Sequence, residues 1–247
     1  MERVQVELDT EGVGRGTVIR YGHWGRPLVV FPSEAGRAWD FENNGMVDAV
    51  ADLVEGGRLK VYAVDSFDHL TWSQNSLPTE ERARRHGVYE RWVIDTVMPL
   101  VDRDSPGHAG AITTGASMGA YHAVNLGLKR PDLFPVAIGL SGSYDPTAWH
   151  GWGDIGQATY FANPCAYVPG MSGDHLGWVR ANANILLVVG QGAFEVHPTK
   201  SLPGAHQLAD LLAQKQIPHE LDVWGHDSAH DWPWWRKQLA HHLPRFC

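Results

Sequence analysis

The sequence predicts an α/β fold in which a mostly parallel, doubly wound sheet follows an N-terminal antiparallel hairpin. Two observations lead to this prediction: short runs that are apolar on both faces recur along the chain, and segments with helical periodicity separate them. Strands buried on both faces are typical of parallel sheets that helices cover. The chain has 247 residues, of which 43% are hydrophobic, so we expect residues 1–247 to form a single domain.

The hairpin is predicted at the N-terminus. Residues 4–8 alternate apolar and polar side chains, and residues 16–21 form a second strand-like run. The glycine-rich segment 12–16 between them is interpreted as a turn. A phosphate-binding loop is disfavoured there because no helical pattern follows the glycines.

Six further strands are predicted where the apolar runs occur. They comprise residues 27–31, 59–64, 109–114, 136–140, 185–189 and 220–224. Apolar residues recur at helical spacing over 89–100, after a helix start at Thr79, and again over 202–214. The stretch 145–180 is rich in Gly, Trp, Pro and Asn and has little periodicity. We predict a loop-rich excursion there, over the edge of the sheet that carries the functional loops.

Charge and composition exclude several classes of partner. The chain has 20 Lys and Arg against 28 Asp and Glu, a net charge of −8, so neither nucleic acid nor an anionic membrane is an expected partner. No apolar stretch reaches the about 20 residues of a membrane span. The first residues lack the apolar core of a secretory signal, which predicts a cytoplasmic protein. Two cysteines, Cys165 and the terminal Cys247, are too few for a disulfide framework but leave a single bond between them open.

A nucleophile motif follows the predicted strand 109–114. Residues 115–119 are Gly-Ala-Ser-Met-Gly, and a helix-compatible run follows over 120–129. A G-x-S-x-G pentapeptide between a strand and a helix places the serine on a sharp, strained turn, where its hydroxyl is clear of the sheet. Side chains at Gly115 and Gly119 would clash because the two residues approach each other closely. Ser117 is therefore predicted to be a catalytic nucleophile.

A serine nucleophile requires a general base, normally a histidine that a carboxylate holds in place. In this setting the order along the chain is serine, acid and histidine, with the histidine in the loop after the last strand. That loop offers His226 and His230. His241 and His242 fall on the predicted terminal helix, where we expect exposed side chains without a catalytic role.

The acid is expected in the loop after the strand 185–189. Glu195 is the one carboxylate of residues 190–197, and we predict that it orients the histidine. Asp222 is the alternative, although it lies within the next predicted strand, where it is less accessible.

Three motifs in this order resemble the putative-esterase family of α/β-hydrolases, which includes esterase D (S-formylglutathione hydrolase), feruloyl esterases and mycolyltransferases. They are the pentapeptide 115–119, Gly190-Gln191-Gly192 with Glu195, and His230-Asp231-Trp232-Pro233-Trp234-Trp235. The resemblance spans about residues 27–247 and implies an α/β-hydrolase fold. A histidine followed by x-W-x-x-W resembles the catalytic-histidine segment of the family, which favours His230 over His226. A glutamate after G-x-G resembles the acid of the mycolyltransferase branch, where most relatives carry aspartate.

The resemblance also implies an oxyanion hole, made by two backbone N–H groups. The residue after the nucleophile, Met118, supplies one of them. The family's second donor follows the third strand and maps to Ser33. Many relatives carry His-Gly or Asp-Gly before that donor, whereas this chain has Phe31-Pro32. This departure affects the shape of the loop, and it also leaves Glu34 beside the predicted pocket.

Four tryptophans are candidate substrate contacts. Trp39 resembles the tryptophan that follows the oxyanion loop in the family. Trp72 follows residues 65–68, which come after a strand and therefore lie on the same edge of the sheet as the nucleophile. Trp149 and Trp152 belong to the predicted excursion, and aromatic side chains there suit a pocket for an acyl or aromatic group.

The sequence as a whole predicts a carboxylesterase-type serine hydrolase that acts on small-molecule esters through an acyl-enzyme. No cofactor is implied, and no metal site is predicted because the loop with His226 and His230 supplies too few fixed ligands by itself. An acyltransferase with the same triad, or a non-catalytic binding protein with the same fold, is the alternative. The natural ester, its acyl-chain length and the oligomeric state are left open.

Overall fold

The sheet has eight strands among residues 1–10, 14–149 and 151–247, which the computed structural model describes. The strands are β1 Arg3–Thr10, β2 Gly14–Tyr21, β3 Arg26–Phe31, β4 Leu59–Val64, β5 Ile112–Ala116, β6 Val136–Leu140, β7 Asn184–Val189 and β8 His219–Val223. Their order is β1-β2-β4-β3-β5-β6-β7-β8. β2 is antiparallel to both β1 and β4, and every later pairing is parallel. The predicted α/β class, with its hairpin and mostly parallel sheet, is confirmed.

Two predicted boundaries differ from the structure. β5 begins at Ile112, three residues later than predicted, because Gly110 turns the chain with a φ of +77°. In the hairpin, residues 14–16 of the predicted turn already belong to β2. Residues 12 and 13 of that turn lie outside the described residues.

Eleven α-helices accompany the sheet in the described part of the chain. They are α1 Asp40–Asn43, α2 Ala51–Glu55, α3 Thr79–Trp92, α4 Met98–Asp104, α5 Met118–Lys129, α6 Gln157–Ala162, α7 Pro164–Gly170, α8 Gly173–Asn182, α9 Ala193–Val196, α10 Ser201–Gln214 and α11 Trp232–His242. A π-helical segment, Val93–Val97, joins α3 to α4, so the predicted helix continues to Asp104. Short 3₁₀ turns lie at Asp48–Val50, Asp68–Leu70, Pro146–Ala148 and Leu243–Arg245.

The core lies on both faces of the sheet. Alternate residues of β3 belong to different clusters: Leu28 and Val30 pack with α1, α2 and α11, whereas Val29 and Phe31 pack with α3, α4 and α5. A third cluster joins β7 to α5, α7, α8 and α10. This alternation is the two-residue period of a strand, and it explains why the strands are apolar on both faces.

The predicted loop-rich excursion, residues 145–180, folds mostly into short helices, namely α6, α7 and most of α8. The Asn163 side chain caps α7 by accepting the Ala166 N–H. The first turn of α6 is capped from elsewhere in the chain: the Glu80 carboxylate of α3 accepts the N–H groups of Gly156, Ala158 and Thr159. A cap supplied by a residue so far away in the chain leaves no periodic pattern in the local sequence. The sequence of this segment therefore resembles that of a loop.

Two expectations from composition concern membranes and cysteines. None of the helices described above is both long enough and apolar enough to cross a membrane. Cys165 and Cys247 are both free thiols.

Candidate active site

Ser117 occupies the sharp turn between β5 and α5. It caps the helix with a φ of +57°, a left-handed conformation that is strained for a residue with a side chain. A Cβ atom at Gly115 would lie 2.4 Å from the carbonyl carbon of Gly119, and one at Gly119 would lie 2.4 Å from the Phe31 and Pro32 carbonyl oxygens. Backbone packs directly on backbone here, so only glycine fits at the two positions.

Three side chains that are far apart in sequence form one hydrogen-bonded chain. His230 Nε2 lies 3.0 Å from Ser117 Oγ, and His230 Nδ1 lies 2.9 Å from Glu195 Oε2. Glu195 is fully buried, while the His230 side chain keeps 10% of its surface exposed. Ser117 is only partly buried and lines a cavity, so a ligand can reach it, whereas the Glu195 carboxylate is shielded from water.

The second oxygen of Glu195 is held by a residue that the sequence analysis did not identify. Ser141 Oγ donates to Glu195 Oε1 at 2.5 Å and accepts the Trp235 Nε1–H at 2.9 Å. Trp235 in turn packs edge-on against the His230 ring, with 5.0 Å between ring centroids. Ser141 follows β6 directly, at the same edge of the sheet as Ser117, and the signal in the sequence was a serine placed immediately after the apolar run 136–140.

The loops that carry Glu195 and His230 are fixed against each other by two glycines. A Cβ atom at Gly190 or Gly192 would lie 2.4 or 2.6 Å from the Ser228 carbonyl oxygen, and the Gly192 N–H donates to that oxygen at 3.0 Å. The G-x-G sequence after β7 therefore permits the close approach that brings the acid to the histidine.

The alternative residues for the acid and the base lie elsewhere. Asp222 Oδ2 is 2.8 Å from His242 Nε2 and accepts the Trp224 Nε1–H at 2.8 Å. His226 is exposed on the loop before His230. The expectation of an exposed side chain at His242 is wrong: it is 2% exposed, because the helix α11 packs this side onto β8 at Asp222.

The two expected oxyanion donors lie on either side of the turn at Ser117. Met118 is the first residue of α5, and the first N–H groups of a helix have no partner within it. Ser33 begins a turn that the Gly36 N–H closes by donating to the Ser33 carbonyl at 2.9 Å. The Ser33 N–H and the Pro32 carbonyl belong to the same peptide group, and this carbonyl packs against Gly119. This contact brings the turn next to the nucleophile.

A cavity of about 360 Å³ opens at Ser117. It is lined by Glu34, Trp72, Ser117, Met118, Ser143, Ala148, Trp149, Pro198, Thr199, Lys200 and Ser201. Trp72 and Trp149 are thus on its wall, and their rings meet edge-on with 6.1 Å between centroids.

The other two candidate tryptophans are absent from this lining. Trp39 is 37% exposed, and its ring lies under the Arg37 guanidinium, 5.0 Å away. Trp152 binds α3 instead, since its backbone N–H donates to Thr79 Oγ1 at 2.8 Å. Within the described part of the chain, no three His, Cys, Asp or Glu side chains converge as a metal site would require.

Comparison with known families identifies the family of this chain. The model of the family described as putative esterase matches residues 34–246, which is most of the chain. The chain belongs to this esterase family. The protein is accordingly an enzyme of the carboxylesterase type, and the expectation of an enzyme is confirmed. A search of curated protein sequences gives no match for this esterase.

Solved structures similar to this esterase share its fold at low sequence identity. A ferulic acid esterase superimposes with a TM-score of 0.72 at 16% identity, over 99% of this chain and 97% of the other. MPT51 (FbpC1) from Mycobacterium tuberculosis gives 0.75 at 13%, over 99% and 97%. An S-formylglutathione hydrolase from Agrobacterium tumefaciens gives 0.72 at 16%, over 98% and 93%. Identities this low establish the common α/β-hydrolase fold alone.

Proposed function

We propose that the protein hydrolyses carboxylic esters of small molecules through an acyl-enzyme, with Ser117 as nucleophile, His230 as general base and acid, and Glu195 as the residue that orients the histidine. The observation that carries the proposal is the hydrogen-bonded chain from Ser117 Oγ through His230 to Glu195 at the wall of the cavity. Each link has the length that proton transfer and imidazole orientation require.

Acylation begins when Ser117 Oγ attacks the carbonyl carbon of the ester and its proton passes to His230 Nε2. The carbonyl oxygen becomes an oxyanion, which the N–H groups of Met118 and Ser33 stabilise; a donor of this kind contributes about 3 kcal/mol in comparable sites. The intermediate collapses when the bond to the alcohol oxygen breaks. His230 gives its proton to that oxygen, the alcohol leaves, and the acyl group stays on Ser117.

Deacylation repeats these steps with water as the nucleophile. His230 Nε2 takes a proton from the water as it attacks the acyl carbonyl, and then returns that proton to Ser117 Oγ when the ester bond to the enzyme breaks. Glu195 accepts the His230 Nδ1–H throughout, which keeps Nε2 free to accept a proton and stabilises the imidazolium that forms.

The cavity fits a small ester with an apolar or aromatic part. Trp72 and Trp149 form an aromatic wall, and Ser143, Thr199 and Ser201 offer hydroxyl groups on the remainder. About 360 Å³ lies at the lower end of the range for small-molecule sites.

Hydrolysis of p-nitrophenyl esters of graded acyl length tests the proposal. We expect the wild type to turn over short esters and Ser117→Ala to lose at least about 10⁴-fold in kcat, with its free energy of unfolding within about 1 kcal/mol of the wild type. Ser105→Ala is the matched control, because Ser105 is a buried serine that bonds to Tyr62 instead of a histidine.

The base is tested in the same assay. His230→Ala should lower kcat as severely as Ser117→Ala, whereas His226→Ala, on the same loop but exposed, should stay within twofold of the wild type. A fluorophosphonate probe, which reacts with activated serines, should label the wild type at Ser117. Failure to hydrolyse any ester together with failure to label would contradict the proposed function.

A further inference from the structure

Asp68 is a buried carboxylate that bonds to both of the segments that carry the proposed oxyanion donors. It follows β4 and is 1% exposed. Its Oδ2 accepts the Ala35 N–H at 3.1 Å, and its Oδ1 lies 3.1 Å from His122 Nε2. Ala35 belongs to the turn that begins at Ser33, and His122 lies one helical turn after Met118 in α5. One side chain therefore joins the two segments that carry the expected donors.

We propose that Asp68 is a positioning residue that holds the N–H groups of Ser33 and Met118 in register for the oxyanion. The inference rests on the proposed function and extends it to a residue outside the triad, the donors and the cavity wall.

The turn at Ser33 needs an external anchor. Ala35 has a φ of +54°, a left-handed conformation that a residue with a side chain adopts only when its surroundings hold it. The Asp68 carboxylate supplies that hold at the Ala35 N–H, and Ser66 Oγ adds a second hold by donating to the Gly36 carbonyl at 2.9 Å. Without the first of these bonds the strained residue can relax, and the peptide of Ser33 shifts with it.

The helix side of the bond is equally constrained. His122 is 1% exposed, its ring stacks on His86 with centroids 5.1 Å apart, and its Nδ1 has no hydrogen-bond partner in the described residues. The contact of Nε2 with Asp68 is therefore the polar anchor of this ring. Burial raises the pKa of Asp68, but the adjacent His122 outweighs this and leaves that pKa below its usual range, so the carboxylate remains a strong acceptor.

A purely structural role for Asp68 makes a different prediction from a positioning role. If Asp68 only satisfied a buried histidine, its loss would lower stability and leave the chemistry of folded molecules unchanged. If it sets the oxyanion hole, its loss weakens binding of the transition state and leaves binding of the ground-state ester nearly unchanged.

The test measures kcat and KM for a p-nitrophenyl ester and the inhibition constant of a trifluoromethyl ketone, which adds to the serine and places an oxyanion in the hole. In Asp68→Ala we expect kcat to fall about 30-fold with KM within twofold, and the inhibition constant to rise by the same factor. Asp68→Leu fills the volume without a buried charge, so it keeps the test open if the alanine variant does not fold. Asp68→Asn can accept from Ala35 and donate to His122, and should recover to within about fivefold of the wild type.

The matched control is Glu90→Gln. Glu90 is a partly buried carboxylate that binds α5, through Asn125 and Lys129, but it does not contact the turn at Ser33. Its kcat and inhibition constant should stay within twofold of the wild type. Wild-type values of both constants in a folded Asp68→Ala or Asp68→Leu variant would overturn the inference and leave the proposed function standing. A wild-type protein that neither hydrolyses esters nor reacts with fluorophosphonate would overturn both.

Discussion

Glu195 is a carboxylate with no exposed surface, and such a group is stable only when its oxygens are hydrogen-bonded. Here each oxygen has its own partner: Ser141 on Oε1 and His230 on Oε2. Ser141 is itself held by the Trp235 Nε1–H, so the Glu195 carboxylate has an anchor that does not depend on the imidazole. The position of the His230 ring therefore depends on a carboxylate that is hydrogen-bonded at both oxygens.

Glu195→Gln should separate orientation from packing. The amide keeps the shape but presents an N–H₂ group to His230 Nδ1, which favours the tautomer with the proton on Nε2, where it cannot accept from Ser117. We expect kcat to fall by about 10³- to 10⁴-fold with stability reduced only modestly. Asp222→Asn is the control and should stay within twofold in kcat, since Asp222 bonds to His242 and Trp224. Steady-state kinetics on one ester measures kcat for both variants. A large loss in Asp222→Asn with little change in Glu195→Gln would make Asp222 the acid.

At the scale of elements, the site depends on how closely α5 approaches β3. The Phe31 and Pro32 carbonyl oxygens lie within 2.4 Å of where a Cβ atom at Gly119 would be. Nearly every residue of α5 is buried, so the helix cannot move away to make room. The approach sets the position of the Met118 N–H relative to the Ser33 turn.

Gly119→Ala should therefore be strongly destabilising. Backbone atoms cannot move aside as a flexible side chain does, and we expect a loss of about 3 kcal/mol or more in the free energy of unfolding, with kcat reduced in whatever folds. Gly177→Ala is the matched control, because nothing lies within 4 Å of a Cβ atom at this position in α8. Alanine favours helix there by up to about 1 kcal/mol, so Gly177→Ala should be neutral or stabilising. Urea unfolding of both variants measures the contrast, and equal effects would contradict this account of the turn.

At the scale of the whole molecule, a partly buried ionic group joins α3 to α5 on the face of the sheet that carries Val29 and Phe31. Glu90 of α3 lies 2.8 Å from Lys129 Nζ and accepts from Asn125 Nδ2 at 2.5 Å, and His86 Nε2 lies 3.3 Å away. Burial alone would raise the pKa of Glu90, but Lys129 and His86 outweigh it and lower that pKa to about 2 from its ordinary 4.5. The group therefore stabilises the folded protein while it is ionised.

The sign of the pH dependence follows from that shift. A carboxyl whose pKa is lowered by folding contributes its stabilisation above pH 4.5 and loses it as the pH falls towards 2. Between these values we expect the wild type to lose up to about 3 kcal/mol more unfolding free energy than Glu90→Gln. Urea unfolding at pH 5, 4 and 3 measures the difference. Glu81→Gln removes a carboxylate on the same helix that is 35% exposed and pairs with the exposed Arg84 and Arg85, so it should change the slope less than Glu90→Gln does. A Glu90→Gln slope equal to the wild type would contradict the assignment.

Local patterns in the sequence were sufficient to predict the strands in chain order and to name candidate residues in the loops that follow them. Short runs that are apolar on both faces, separated by helical periods, predicted a sheet covered by helices, and the fifth predicted strand led directly to the pentapeptide at Ser117. Glu195 and His230 could be named because each is a suitable side chain in the loop after a particular strand. These features are encoded within a few residues of each other, where backbone preferences and apolar burial decide the structure.

Contacts between distant segments were decided only by the tertiary structure. Ser141 behind Glu195, the Glu80 carboxylate that caps α6, and Asp68 between the Ser33 turn and α5 are single polar side chains with no periodic signal. Their partners lie from 33 to 79 residues away in the chain. The energy that fixes them comes from burial, which makes an unpaired carboxylate costly, and burial is a property of the assembled fold.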